Sequence, residues 1–170
     1  GSALSAWNPV ENSEAPLFEN LLHCCRLAGG NVRGMVWYQG ESDCSPGLAE
    51  SYQERFQQFV GALRDGLKQP DLPVVLAQLN RYSGDQNSDG HRCWSVVREA
   101  QRQALKMDHV AVVSALDLTI SDPIHTSSPG NMLLGSRKAR AALSMVYGRE
   151  LHWKSPNIGT VVVEEKGDTV

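Results

Sequence analysis

Two short stretches of the chain hold the residue types that acyl or glycosyl chemistry needs. Ser121-Asp122-Pro123-Ile124-His125 sets an aspartate three residues before a histidine. At that spacing, in a loop ahead of a helix, the carboxylate can reach the imidazole, fix its tautomer and stabilise the cation formed when the ring takes a proton from a nucleophile. Pro123 restricts the backbone between them. Without that role, Asp122 caps a turn and His125 is an exposed ring. The second stretch is Trp37-Tyr38-Gln39-Gly40-Glu41-Ser42-Asp43. The Gln39 amide can donate to a developing oxyanion, and Gly40 leaves room for substrate beside it. The structural alternative is a polar turn, with glycine at a special dihedral and Ser42 or Asp43 capping the next helix. Glu41 and Asp43 also form a carboxylate pair of the kind that hydrolyses glycosides, but two acids two apart in one loop do not by themselves flank a bond.

These loops need a scaffold, and apolar periodicity supplies one. Helical spacing runs over Pro16 to Leu27, stopped by Gly29-Gly30, and over Leu48 to Leu67, ended by Pro70 and Pro73. Two more helices are expected over Trp94 to Met107 and Asn131 to Tyr147. Between them lie short, continuously apolar runs at Val32 to Tyr38, Val74 to Leu79 and His109 to Leu116, which read as strands buried on both faces. Strands alternating with crossover helices predict a parallel sheet in an α/β/α three-layer sandwich. In such a sheet, ligands bind beyond the carboxyl ends of the strands, where both candidate loops emerge. Thr160 to Val163 and Thr169-Val170 read as the first arm of a hairpin, so residues 1–150 are expected to form one domain and 151–170 a linker and the start of a β domain.

Composition narrows the function classes. The chain has 170 residues, 41% of them hydrophobic, which is enough for one core. Its net charge of −3 argues against a nucleic-acid binder, and no apolar run reaches the length of a membrane span. Four cysteines without metal-type spacing give no metal site and no disulfide scaffold. Trp37 and Tyr38 could stack on a sugar or fill the core. His91 is a possible substrate contact, Arg98 and Glu99 suit a solvated helix face, and Asp117 could cap a turn or support the Asp122–His125 loop.

Taken together, the two loops resemble the sialate O-acetylesterases and the wider acetylesterase branch of the SGNH hydrolases. Gly34 to Ser42 is similar to that family's G-V-W-Y-Q-G-E-S segment, and Asp122 to His125 to its C-terminal Asp/His block. Val97-Arg98-Glu99-Ala100-Gln101 resembles another recurring stretch, and Gly1 to Trp7 a segment that contributes a glycine to the oxyanion hole. The resemblance implies a flavodoxin-like fold and a cofactor-free serine esterase that removes acetyl groups from sugars, often sialic acids. By position, His125 is then the general base, Asp122 orients it, Gln39 donates to the oxyanion, and Glu41 lines the site. Gly1 is a backbone oxyanion donor if it is a native residue. Asp43 stands where many members carry Asn.

The family's nucleophile lies in a segment upstream of the Trp7 region, and no serine here fits. Ser42 lacks the second glycine of a nucleophile elbow. The resemblance thus implies a piece lacking the first strand, with the serine supplied by a missing N-terminal segment or a companion chain. It also suggests a secreted, periplasmic or lysosomal setting. A non-catalytic carbohydrate-binding relic and an acetylxylan-type esterase are the alternatives.

Overall fold

The computed structural model describes residues 1–85, 89–157 and 159–162. Three parallel strands, β1 (Met35–Trp37), β2 (Val74–Gln78) and β3 (Val110–Ser114), lie side by side in that order. Met35 stands opposite Val74, and Val74 opposite Val110. Four helices surround them: α1 (Pro16–Leu27), α2 (Leu48–Leu67), α3 (Gly90–Gln103) and α4 (Ser128–Tyr147).

Strand alternation divides the core. Trp37, Val74, Leu76, Val110 and Val112 point to one face and pack with α1, α2 and α3 through residues such as Phe18, Phe56, Phe59 and Val97. Val75, Ala77, Ala111 and Val113 point to the other and meet Leu134 and Ala141 of α4. This is the expected three-layer α/β/α arrangement. The second face is thinner: Val36, in register with Val75, is 55% exposed at the outer edge of β1.

The helix ends follow local chemistry. Pro16 opens α1, where its missing N–H costs nothing. Glu50 reaches back to the Gly47 N–H at the start of α2. Ser127 caps α4 by accepting from the Gly130 N–H, and Gly148 closes it at φ +63°. This cap sets the start of α4 three residues ahead of the expected Asn131. α3 begins four residues before the expected Trp94, because its first turn is built from Gly90, His91 and Arg92, residues that read as loop. The strands are shorter than their apolar runs, with the flanking residues serving as loop anchors.

The segment 151–157 carries no helix or strand. Ser155 Oγ accepts from the Ser114 N–H at the end of β3. Thr160 to Val162 form no strand, and the rest of the expected hairpin, from Val163 to Val170, lies outside the described residues.

Candidate functional site

The carboxyl ends of β1 and β2 deliver two loops to one end of the sheet, where the loop after β3 meets them. Asp122 and His125 come together as their spacing suggests. Asp122 Oδ2 lies 2.8 Å from His125 Nδ1, while Oδ1 accepts the backbone N–H groups of Ile124 (3.0 Å) and His125 (2.9 Å). Those donors, the Ile124 amide first, hold the Asp122 carboxyl below its ordinary pKa. One carboxylate therefore folds its own loop and faces the imidazole. No described residue hydrogen-bonds Nε2. Both side chains stand well open to solvent.

The loop is anchored at both ends. Asp117 makes a two-point contact with Arg137 of α4 at 2.7 and 2.6 Å, and Arg137 also donates to the Ser114 carbonyl. At the far end, the Asn80 amide oxygen accepts from the Thr126 hydroxyl (2.8 Å) and backbone N–H (3.1 Å). The Tyr38 hydroxyl then donates to Thr126 Oγ1 at 2.8 Å. Burial, offset in part by that bond, pushes the Tyr38 hydroxyl pKa up, in keeping with a donor. Residues just beyond β1 and β2 thus grip the residue next to His125. The Ser83 N–H adds a bond to the Pro123 carbonyl.

His125 and Ile124 face Gly1, Ser2, Trp7, Trp37 and the Tyr38–Ser42 loop across a groove of about 410 Å³, within the range of small-ligand sites. Glu41 lines it. Trp37 is mostly core, edge-on to Trp7 with centroids 5.2 Å apart. Of the two serines in the wall, Ser42 donates to the Gly1 carbonyl, and Ser2 accepts from Trp7 Nε1.

Gln39 sits in the wall too, but its amide protons are committed. One goes to Asp43 Oδ2 and the other to the Ser2 carbonyl. Its own oxygen accepts from Tyr52. Donation to an oxyanion would require one of these bonds to break. Gly40 does not open space for substrate, as the sequence suggested. It is buried at φ +152°, and a Cβ there would stand 2.9 Å from Gln101 Nε2 and 3.1 Å from Leu79 and Val97. Its freedom serves the approach of α3. His91 packs edge-on to Tyr82, apart from the groove.

Sequence reasoning named Asp43 and Gln101 but missed that they brace the groove from behind, and gave Arg55 and Glu11 no part in it. Asp43 is fully buried; it accepts from the Leu4 N–H, from Gln39 and from Arg55 Nη1 at 2.8 Å. Arg55 also pairs with Glu11 at 2.8 Å. Burial pushes the Arg55 pKa down, but the two carboxylates outweigh it and the guanidinium ends above its ordinary value. Gln101, fully buried on α3, accepts from the Leu79 N–H (2.8 Å) and donates to the Gln39 carbonyl (2.9 Å). The readable signals were an arginine between Tyr52 and Phe56 on an apolar stripe, and a glutamine among Val97, Ala100 and Ala104. Asp43 and Glu41 do not form a glycosidase-type pair, since one is buried on Arg55 and the other faces the groove.

The family model for "carbohydrate esterase, sialic acid-specific acetylesterase" matches residues 1–144. The chain belongs to this family. A probable carbohydrate esterase of Arabidopsis thaliana is 36% identical over 149 residues, covering 85% of this chain and 52% of that protein. The chain thus spans about half the length of this relative. Among solved structures, that of an Arabidopsis thaliana protein superposes with a TM-score of 0.71 at 31% identity, covering 86% of this chain and 58% of the other. A carbohydrate acetylesterase from Xanthomonas citri gives 0.64 at 28% identity, covering 74% and 29%. The carbohydrate-esterase membership and the α/β fold expected from the sequence are therefore established.

Proposed function

We propose that the protein containing this chain hydrolyses acetyl esters of carbohydrates, sialic acid first among them, by a Ser-His-Asp acyl-transfer route. The observation that carries this reading is the Asp122–His125 contact at the mouth of the groove. His125 Nε2 takes the proton of a serine hydroxyl as its oxygen bonds to the acetyl carbon. Asp122 stabilises the imidazolium, which then protonates the departing sugar oxygen. Water repeats the sequence on the acyl-enzyme and releases acetate. Backbone N–H groups near Gly1 and the Gln39 amide are the candidate oxyanion donors, the latter only after giving up a bond. Glu41 faces the sugar.

The nucleophile in this reading is a serine outside these 170 residues, from an N-terminal segment or a companion chain. Ser42 donates its proton to the Gly1 carbonyl, Ser2 accepts from Trp7, and neither serine hydrogen-bonds His125, which supports this. So does the outer edge of β1, which pairs with no strand among the described residues: a strand adding there in parallel would cover Val36 and bring its carboxyl end beside Tyr38 and Gln39. The name of the matched family favours sialic acid over acetylxylan as first substrate.

The test is acetate release by the intact protein from O-acetylated sialic acid and from acetylated xylan, with His125→Ala alongside. Release from sialic acid that falls by roughly 10³-fold or more in the variant is expected. Undiminished turnover by the variant would remove His125 from the mechanism. A protein that binds these sugars without releasing acetate would instead be a binding relic of the fold.

A further inference from the structure

A second cavity, of about 800 Å³, shares no lining residue with the catalytic groove. It is lined by Val112 and Ser114 of the edge strand β3, by Gln78 at the end of β2, by α3 and by the segment Trp153–Asn157. Arg98 of α3 forms part of its wall. The Arg98 side chain is partly buried, with Nε shut off from solvent and without a hydrogen-bond partner. No carboxylate of the described residues pairs with it. Burial alone acts on its pKa, pushing it down.

Among the described residues, every other arginine withdrawn from solvent has a side-chain partner, Arg64 through the Leu72 and Asp108 carbonyls. Arg55 is held by Asp43 and Glu11, Arg92 by Glu50, Arg102 by Glu99 and Arg137 by Asp117. A guanidinium taken partly out of water without an anion is costly, and it is expected where an anion is to be received. Lys154 adds a second cation to the same cavity, and the one carboxylate there, Glu99, is already bound by Arg102 and Gln103.

The remaining wall defines the ligand further. Trp153, which packs against the α4 side of the core and has Lys154 Nζ 5.9 Å from its ring centroid, lines the space together with the apolar Leu105 and Leu116. The space exceeds what an inorganic anion fills and suits a ligand of sugar size. A planar guanidinium fork matches a carboxylate in two-point geometry. We propose that this cavity binds a carboxylate-bearing sugar, with its carboxylate on Arg98 and Lys154 and its ring against Trp153, as a second carbohydrate site apart from the catalytic groove. The site stands whether or not the groove is an esterase.

Titration calorimetry on the purified protein tests it with N-acetylneuraminate, glucuronate and neutral glucose as probes. The two acids are expected to bind and glucose not to. Arg98→Met should weaken acid binding at least tenfold, Lys154→Met should weaken it less, and His125→Ala should leave it unchanged. Arg98→Met should also melt no lower than the parent without ligand, because it removes an unpaired charge from a partly buried position. Failure of the parent to bind either acid overturns the proposal, as does acid binding that survives Arg98→Met. Binding lost in His125→Ala but kept in Arg98→Met would move the acid to the catalytic groove and leave the esterase reading intact.

Discussion

Asp43 and Arg55 meet at 2.8 Å in the interior, one turn of helix α2 reaching down to the loop that follows β1. The same carboxylate holds the Gln39 amide and the Leu4 N–H, so one buried charge fixes two walls of the groove. Removing only the cation strands Asp43. Arg55→Met is expected to lower unfolding free energy by about 3–5 kcal/mol in urea titrations. Asp43→Asn combined with Arg55→Met should recover part of that loss. Strictly additive effects in the double-mutant cycle would show that the pair is not coupled.

Gln101 joins the chain after β2 to the chain after β1. Replacing it with Met keeps the volume but leaves the Leu79 N–H and the Gln39 carbonyl without that partner in a dry interior. A loss of about 2–4 kcal/mol is expected by chemical denaturation, from two unmet groups at about 1–3 kcal/mol each with partial relief from the Tyr52 contact. A change below 0.5 kcal/mol, roughly the scale of a surface substitution, would mean that water replaces the side chain.

Gly40→Ala introduces a methyl group against Gln101, Leu79 and Val97 at a backbone angle that L residues avoid. The expected cost is about 1–3 kcal/mol in stability. Because the displaced neighbour is Gln101, acetate release in the proposed reaction should fall with it. A variant that melts like the parent would place the strain elsewhere.

Arg137 holds the Asp117 carboxyl down to about 2. An aspartate lowered in the folded state stabilises it fully above its unfolded value, about 3.9, and that contribution is lost as pH falls through the folded value. Carboxyl NMR should therefore show Asp117 titrating near 2 at low salt, moving up in high salt because the pair is exposed. Arg137→Gln should return it towards about 4. A midpoint indifferent to Arg137 would rule out the clamp.

Much of the scaffold was legible from spacing alone. The limits of α1 and α2 follow directly from Pro16, Gly29, Pro70 and the apolar stripes between them. The start of α3 was not, since Gly90 and His91 carry no helical signal of their own and owe their conformation to packing. In the site, the Asp122–His125 contact is local, so three residues of sequence contain it. Gly40 was misread because its neighbour Gln101 is distant in sequence and nothing in the loop itself reveals the crowding. The Asn80–Thr126–Tyr38 bonds were hidden for the same reason, since they need the sheet order before the partners become neighbours, and the Asp43–Arg55 pair needs the loop folded back onto α2.

Thr126, the residue after His125, is clasped from the ends of two strands through Asn80 and Tyr38. That arrangement ties the placement of the imidazole to the spacing of the sheet rather than to the free loop around it. Placement of the His125 ring is then distributed: Tyr38→Phe or Asn80→Ala leaves Asp122 and His125 themselves unchanged, yet each loosens the grip on Thr126. In the proposed reaction, such positions would set the rate without altering the residues that perform the chemistry.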